Sequence, residues 1–452
     1  MRSSSNGKFQ RYCYVQYEGM FNTIEQTVFI EQNQCLQIKK MEYFSLVLPN
    51  SVVLDNGVVL HLIDGGTQDV MRIDLLFRGG YGVQTQPLQA MFTNRMLREG
   101  TQDYSATEIS RRLDYYGAWT DVYSSQGCNH LTMYMMCKCA KPLLELLESM
   151  VKRPLFRKSA LSTLRSSAKS FYKVNSRKVD IVAQRHFENM IWGNSHPLGH
   201  IVCAEDYDAI TSDVLAQYYN SVYGSSQLEI FLCGKIDKQI VDYVAASFGG
   251  DSWGAPALTL CKPDAPVSEC VTRKVTLDGV MQSGVKIGFM AMDANDPDFL
   301  KFRFLTVLLG GYFGSRLMSN IREEKGYTYH IEAELDAYGE RNAFMISSET
   351  ANDTVQPLIK EVYNEIDLLR NEPVSAEELE LVRNYILGEL CREYEGVFPK
   401  SEVFINAWLS GEKFSVVNDY LDVVRSITAE EIQRLAQKYL VPQSMVEVIA
   451  GS

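Results

Sequence analysis

Nowhere in these 452 residues do about 18 apolar side chains run together, so no segment is long and apolar enough to cross a bilayer as a helix. The first twenty residues, MRSSSNGKFQRYCYVQYEGM, contain no apolar core and do not read as a secretory signal. The ten cysteines include no Cys-x-x-Cys pair; Cys137 and Cys139 make only a Cys-x-Cys, expected to point to one side of a strand. So few thiols in so long a chain predict reduced, mostly buried cysteines and a cytoplasmic setting. Positive charge is also short, with 44 Lys and Arg against 56 Asp and Glu and a net charge of −12. That balance argues against nucleic acid or an anionic membrane surface as the main partner.

Histidine is scarce as well, at six residues. His196 and His200, in HPLGH, stand four apart, but Pro197 and Gly199 predict a turn rather than a helix that would aim both at one metal. His61, His130, His186 and His330 are scattered without ligand spacing. No Gly-x-Ser-x-Gly and no Cys/His neighbourhood supplies a nucleophile.

What the chain does have is an ordinary globular composition, 46% hydrophobic and 22% charged, and enough length for two or three domains. It also repeats itself. ITSDVLAQYYNSVYGSSQLEIFLCG (210–234) aligns without a gap to ITAEEIQRLAQKYLVPQSMVEVIAG (427–451). Both read as a Thr-capped helix with an acid in its first turn, then a turn and a short apolar strand. RPLFRKSALSTLR (153–165) resembles NEPVSAEELELVR (371–383), where Ser375 and Glu378 predict a capping box. VMRIDLLFRGG (70–80) matches VKIGFMAMDAN (285–295) as a strand leading into a helical stretch. Three pairs in one order predict a duplication: residues 45–247 and 270–452, joined by a Gly- and Pro-rich linker at 248–269. Residues 1–44 are polar and weakly patterned, an extension compatible with an ordered arm, a tail or a start upstream of the natural one at Met41. Strands alternating with paired helices predict an α+β architecture, two homologous sandwiches in which helices pack on one face of a largely antiparallel sheet. Residues 129–137 and 341–348 are apolar enough for sheet interior.

The stretch GGYFGSRLMSNIREEKGYTYH (310–330) organises the second half. Gly310, Gly311 and Gly314 surround two aromatics. Leu317, Met318 and Ile321 then follow helical spacing until Gly326, and a period-2 pattern begins at Tyr327. Arg322 falls in the last helical turn and Tyr329 on the strand beyond, so a guanidinium and a phenol meet at one corner. On residues alone, Arg322 serves the helix dipole equally well, and Tyr329 serves packing. The Gly-rich run is no phosphate cradle, because it lacks the Gly-Lys-[Ser/Thr] ending.

Residues 308–335, with a Gly-rich loop, Ser-Arg-Leu and then Arg-Glu-x-x-Gly-x-x-Tyr, resemble the C-terminal-domain signature of the pitrilysin/insulinase family of zinc metallopeptidases. Residues 90–126 resemble the surroundings of that family's zinc site: Gly100-Thr101, a helix from Ser105 to Tyr116, and Gly117-Ala118 stand in matching places. The resemblance runs over nearly the whole chain from about residue 45. In the family a helix carries His-x-x-Glu-His before that Gly-Thr. Counting back, those positions fall here on Met91, Asn94 and Arg95. Two His at i and i+4 share a helix face and reach one metal, with the Glu between them deprotonating the bound water. Met91 is at best a soft thioether, Asn94 is no base, and Arg95 repels a dication. The family's third ligand is a Glu from a later helix, yet residues 149–179 contain no acid.

The resemblance therefore implies a chain without its own zinc that keeps the family's Arg/Tyr pair at Arg322 and Tyr329. It implies the non-catalytic, substrate-binding subunit of a heterodimeric zinc peptidase. Zinc is then expected on a homologous His-x-x-Glu-His partner, peptides are the expected substrates, and a homodimer is open to the isolated chain. The alternative is a non-proteolytic structural or peptide-binding protein of the same fold.

Overall fold

The computed structural model describes residues 46–194, 196–258, 271–338 and 341–452; the 1–44 extension and residues 259–269 of the linker lie outside these. The first half runs β1 (Asn50–Val53), β2 (Val59–Asp64), β3 (Val70–Arg78), α1 (Gln89–Met96), α2 (Ala106–Tyr116), β4 (Trp119–Ser124), β5 (Cys128–Met136), α3 (Ala140–Lys152), α4 (Lys158–Asn175), α5 (Val179–Trp192), α6 (Ala204–Ala209), α7 (Ser212–Val222), β6 (Leu228–Gly234) and α8 (Lys238–Phe248). The second runs β7 (Thr272–Thr276), β8 (Gln282–Met290), α9 (Phe299–Gly310), a π-helix (Met318–Glu324), β9 (Thr328–Tyr338), β10 (Arg341–Ala351), α10 (Val355–Asn371), α11 (Ala376–Glu393), α12 (Val397–Leu409), α13 (Val416–Ser426), α14 (Ala429–Tyr439) and β11 (Val446–Gly451).

Two sheets result, ordered β1-β2-β6-β3-β5-β4 and β7-β11-β8-β10-β9. With β1 set aside they have one topology. β2 pairs with β6 and β7 with β11 in parallel, and every other neighbour is antiparallel. The gapless repeat is the unit α7–β6 against α14–β11. Thr211 and Thr428 cap the two helices, each hydroxyl accepting from the backbone N–H three residues on, Val214 and Glu431. β5 and β10, from the two stretches expected inside the sheets, are each paired on two sides.

Some local expectations changed. Cys137 and Cys139 lie just past β5 in a single 3-10 turn, because Cys137 N turns aside to donate to Asp69 O at 3.0 Å. The capping box at Ser375 is half formed. Glu378 N donates to Ser375 Oγ at 3.1 Å, but the Glu378 carboxylate is held instead by Arg316, with Nε and Nη2 at 2.7 and 2.8 Å. A bidentate guanidinium outcompetes a single backbone N–H.

Each half lays its own helices on one sheet face, as the pattern predicts. The second face is covered too, by a helix from the opposite half. Alternate residues of β3 explain this: Met71, Ile73, Leu75 and Phe77 face the half's own core with Leu143, Leu147 and Tyr218, while buried Arg72 and Asp74 face the other way. There α12 crosses β2 and β6. Glu402 of α12 pairs with Arg72, Cys233 donates to Val397 O at 3.1 Å, and Arg78 stacks over Trp408 at 4.4 Å. Reciprocally, α5 lies on β8 and β11. Val182, Ala183, Phe187, Ile191 and Trp192 pack on Ala343, Met345, Val446, Val448 and Ala450, and Asp180 pairs with buried Lys286 at 2.9 Å.

Candidate functional site

The helix entering the second-half site is wound as a π-helix, with Lys325 N donating to Asn320 O at 3.1 Å. Such windings are rare and gather at functional sites. Leu317, Met318 and Ile321 are buried and anchor the segment, as their spacing predicts. Gly326, at φ 66°, makes the left-handed turn that only glycine takes without cost, and β9 starts two residues later.

At that start β9 bulges. Ser348 pairs with Ile331 and Thr350 with Thr328, so Tyr329 and His330 together stand opposite Glu349. A bulge of this kind re-aims side chains at a strand end. Tyr329 emerges 90% exposed, which disposes of packing as its role. Arg322, in the last π turn, is partly buried, and its guanidinium carbon lies 4.5 Å over the ring of Phe313. Its ion partner is the adjacent Glu323 at 3.9 Å, too long for a hydrogen bond. Arg322 and Tyr329 thus share one helix–strand corner without a direct bond between them, each able to donate to a third party.

Beyond the corner, β9 carries alternating acids. Burial, then the nearby Asp336 and Glu332 carboxylates, pushes Glu334 up to about 7, and burial raises Asp336. His330 Nε2 meets Glu332 at 3.1 Å; that hydrogen bond raises the imidazole and lowers the carboxyl. The strand edge therefore sits in a negative field relieved by Lys286.

The first-half positions are built for a different purpose. Asn94 is 1% exposed, and its Nδ2 donates to Tyr123 O at 2.6 Å and His130 O at 2.9 Å. Its Oδ1 accepts from the Tyr223 hydroxyl at 3.1 Å. The residue is a bracket tying α1 to β4 and β5. Met91 packs against the apolar cluster of Phe92, Met96, Leu161, Tyr207, Ile210 and Leu215. Arg95 is exposed. A zinc ion does not fit this set: one thioether sits in an apolar cluster, one amide has its oxygen engaged, and one cation stands beside them. α4, where a third ligand would stand, has no acid. Among the described residues no group of three His, Cys, Asp or Glu can hold a metal ion. His196 stacks on Trp192 at 4.3 Å and accepts from Leu198 N at 3.1 Å, while His200 meets Asp206 at 2.9 Å. The HPLGH turn keeps its two imidazoles on separate partners.

Residues 209–386 match the model of the peptidase M16 inactive domain. Beyond that stretch the chain is similar to M16, or pitrilysin/insulinase-type, peptidase homologues over most of its length. It is 22% identical over 402 residues to the uncharacterized zinc protease YmxG of Bacillus subtilis, covering 88% of this chain and 97% of that one. It is 22% identical over 374 residues to the non-peptidase homolog YmxG of Helicobacter pylori, covering 80% and 84%. In fold it matches a peptidase M16 inactive domain from Pseudomonas fluorescens with a TM-score of 0.81 at 21% identity, over 90% of this chain and 98% of that one. The model matched is that of the M16 inactive domain, and the residues at Met91, Asn94 and Arg95 do not fit a zinc ion. The residue that sequence reasoning passed over is Phe313. It was visible only as one of two aromatics in a Gly-rich run, nine positions before Arg322, and no periodicity links a turn to a helix end.

Proposed function

We propose that this chain is the substrate-binding, non-catalytic subunit of a heterodimeric zinc peptidase, with Arg322 and Tyr329 contacting the peptide near the scissile bond. The observation that carries this reading is the corner itself: a phenol exposed by a bulge beside a guanidinium whose ion partner, Glu323, stands 3.9 Å away. A phenol and a guanidinium donate to peptide carbonyls and to the oxyanion that develops on attack. The emptied positions Met91, Asn94 and Arg95 support a reading in which the metal belongs to a homologous His-x-x-Glu-His chain. The cysteines Cys128, Cys137, Cys139, Cys203, Cys233 and Cys391 are free, which supports a reducing, cytoplasmic setting.

The test is reconstitution with such a partner and a quenched fluorogenic peptide. Arg322→Ala or Tyr329→Phe is expected to lower turnover by about 2–4 kcal/mol in transition-state terms, with assembly intact by size-exclusion chromatography. Unchanged turnover in both variants would move the chain to a purely structural or peptide-binding role. Peptidase activity in the chain alone would overturn the assignment of the metal.

A further inference from the structure

We propose that Phe313, in the turn between α9 and the π-helix, is the positioning residue for Arg322, holding the guanidinium in the orientation that meets substrate. The inference rests on the reading of Arg322 as a substrate contact. The guanidinium carbon lies 4.5 Å above the Phe313 ring, within cation–π range. Glu323, at 3.9 Å and next in sequence, is too far to fix the head group by hydrogen bonding. The ring therefore does the holding. A guanidinium resting on a ring still has N–H donors to offer a peptide carbonyl.

The turn is itself anchored, so the ring has a fixed place. A side chain on Gly310 would come within 2.5 Å of Ala333 N, so the end of α9 lies directly against β9. Tyr312 stacks on Tyr385 of α11 at 4.7 Å, and Ser315 N closes the turn on Tyr312 O at 3.0 Å. Phe313 alone among these is turned outward, 55% exposed. A phenyl ring kept there for core packing would be buried; its contact of consequence is with Arg322. The same exposure means that the fold tolerates its replacement.

The experiment uses the complex with the zinc-binding chain and a quenched fluorogenic peptide. Phe313→Leu keeps apolar bulk and removes the π face; Phe313→Tyr keeps both. Phe313→Leu is expected to lower kcat/KM about threefold to tenfold, chiefly through kcat, since Arg322 acts on charge that develops in the transition state. Phe313→Tyr restores it. In a double-mutant cycle Phe313→Leu adds nothing to Arg322→Ala, because the ring acts only through that guanidinium. In the isolated chain, the Arg322 Nε–H resonance is expected upfield, shifted by the ring in the wild type and in Phe313→Tyr, and to lose that shift in Phe313→Leu. An Arg322 resonance indifferent to Phe313→Leu, or additive losses in the cycle, would overturn the proposal. If Arg322→Ala leaves turnover unchanged, the substrate-contact reading falls, and the resonance still decides whether Phe313 holds Arg322.

Discussion

Replacing Asn94 by Asp asks whether the position that carries the general base in active relatives has become a structural bracket here. The amide donates to Tyr123 O and His130 O at 2.6 and 2.9 Å. Those carbonyls are not otherwise orphaned. Ser125 N donates to Cys128 O at 2.8 Å, and Tyr123–His130 lies two residues along the same ladder, where alternation makes another bonded pair. Asn94→Ala therefore leaves both carbonyls paired but strips the buried Tyr223 hydroxyl of its acceptor, at a cost of about 1–3 kcal/mol. Asn94→Asp keeps the shape and the acceptor for Tyr223 but turns a carboxylate oxygen toward two carbonyl oxygens at a site sealed from water. Desolvation and repulsion disfavour the ion, adding about 1–3 kcal/mol at neutral pH. The sign follows from linkage. Folding raises this carboxyl above its unfolded value; once protonated, it can donate to one carbonyl. The aspartate is best tolerated below the ordinary carboxylate range, and stability is lost as pH rises toward the folded value. Urea unfolding of wild type, Asn94→Ala and Asn94→Asp across about pH 4–8 checks this, because differences between variants cancel every other titration. An Asn94→Asp curve that follows the wild type at all pH values, or a gap that widens toward acid, would refute the bracket.

Other outcomes follow from the same geometry. Arg316→Met should cost about 1–3 kcal/mol by leaving the Glu378 carboxylate without its bidentate partner, measured by urea denaturation, and a double variant with Glu378→Gln should recover part of it. Glu334, raised to about 7 by burial and by Asp336 and Glu332, opposes folding once ionised, so its penalty appears as pH climbs from the ordinary carboxylate range through about 7. Glu334→Gln should gain on the wild type in thermal melts at alkaline pH and match it near pH 4–5. The isolated chain, incubated with zinc and dialysed, should retain well under one equivalent by atomic emission; stoichiometric retention would contradict the donor set at Met91, Asn94 and Arg95.

The duplication was legible because it depends on local signals: a Thr cap, an acid in the first turn, an apolar strand of fixed length. The emptied metal site was legible because metal ligation has strict residue and spacing requirements, and Met, Asn and Arg fail them. The covering of each sheet's second face was not. Arg72 and Asp74 break the apolar alternation of β3, which announces something polar above them, but only tertiary structure shows that Glu402, 330 positions later, supplies it. The half-formed box at Ser375 failed for a related reason, since local spacing cannot reveal that Arg316 competes for Glu378. Phe313 escaped notice because cation–π contacts between a turn and a helix end have no characteristic spacing.

The exchange of α5 and α12 between the halves has a mechanical consequence. Among the described residues, side-chain contact joins them twice, once on each sheet, on either side of the stretch from 258 to 271. A chain opened there keeps both clasps, and its two pieces should copurify.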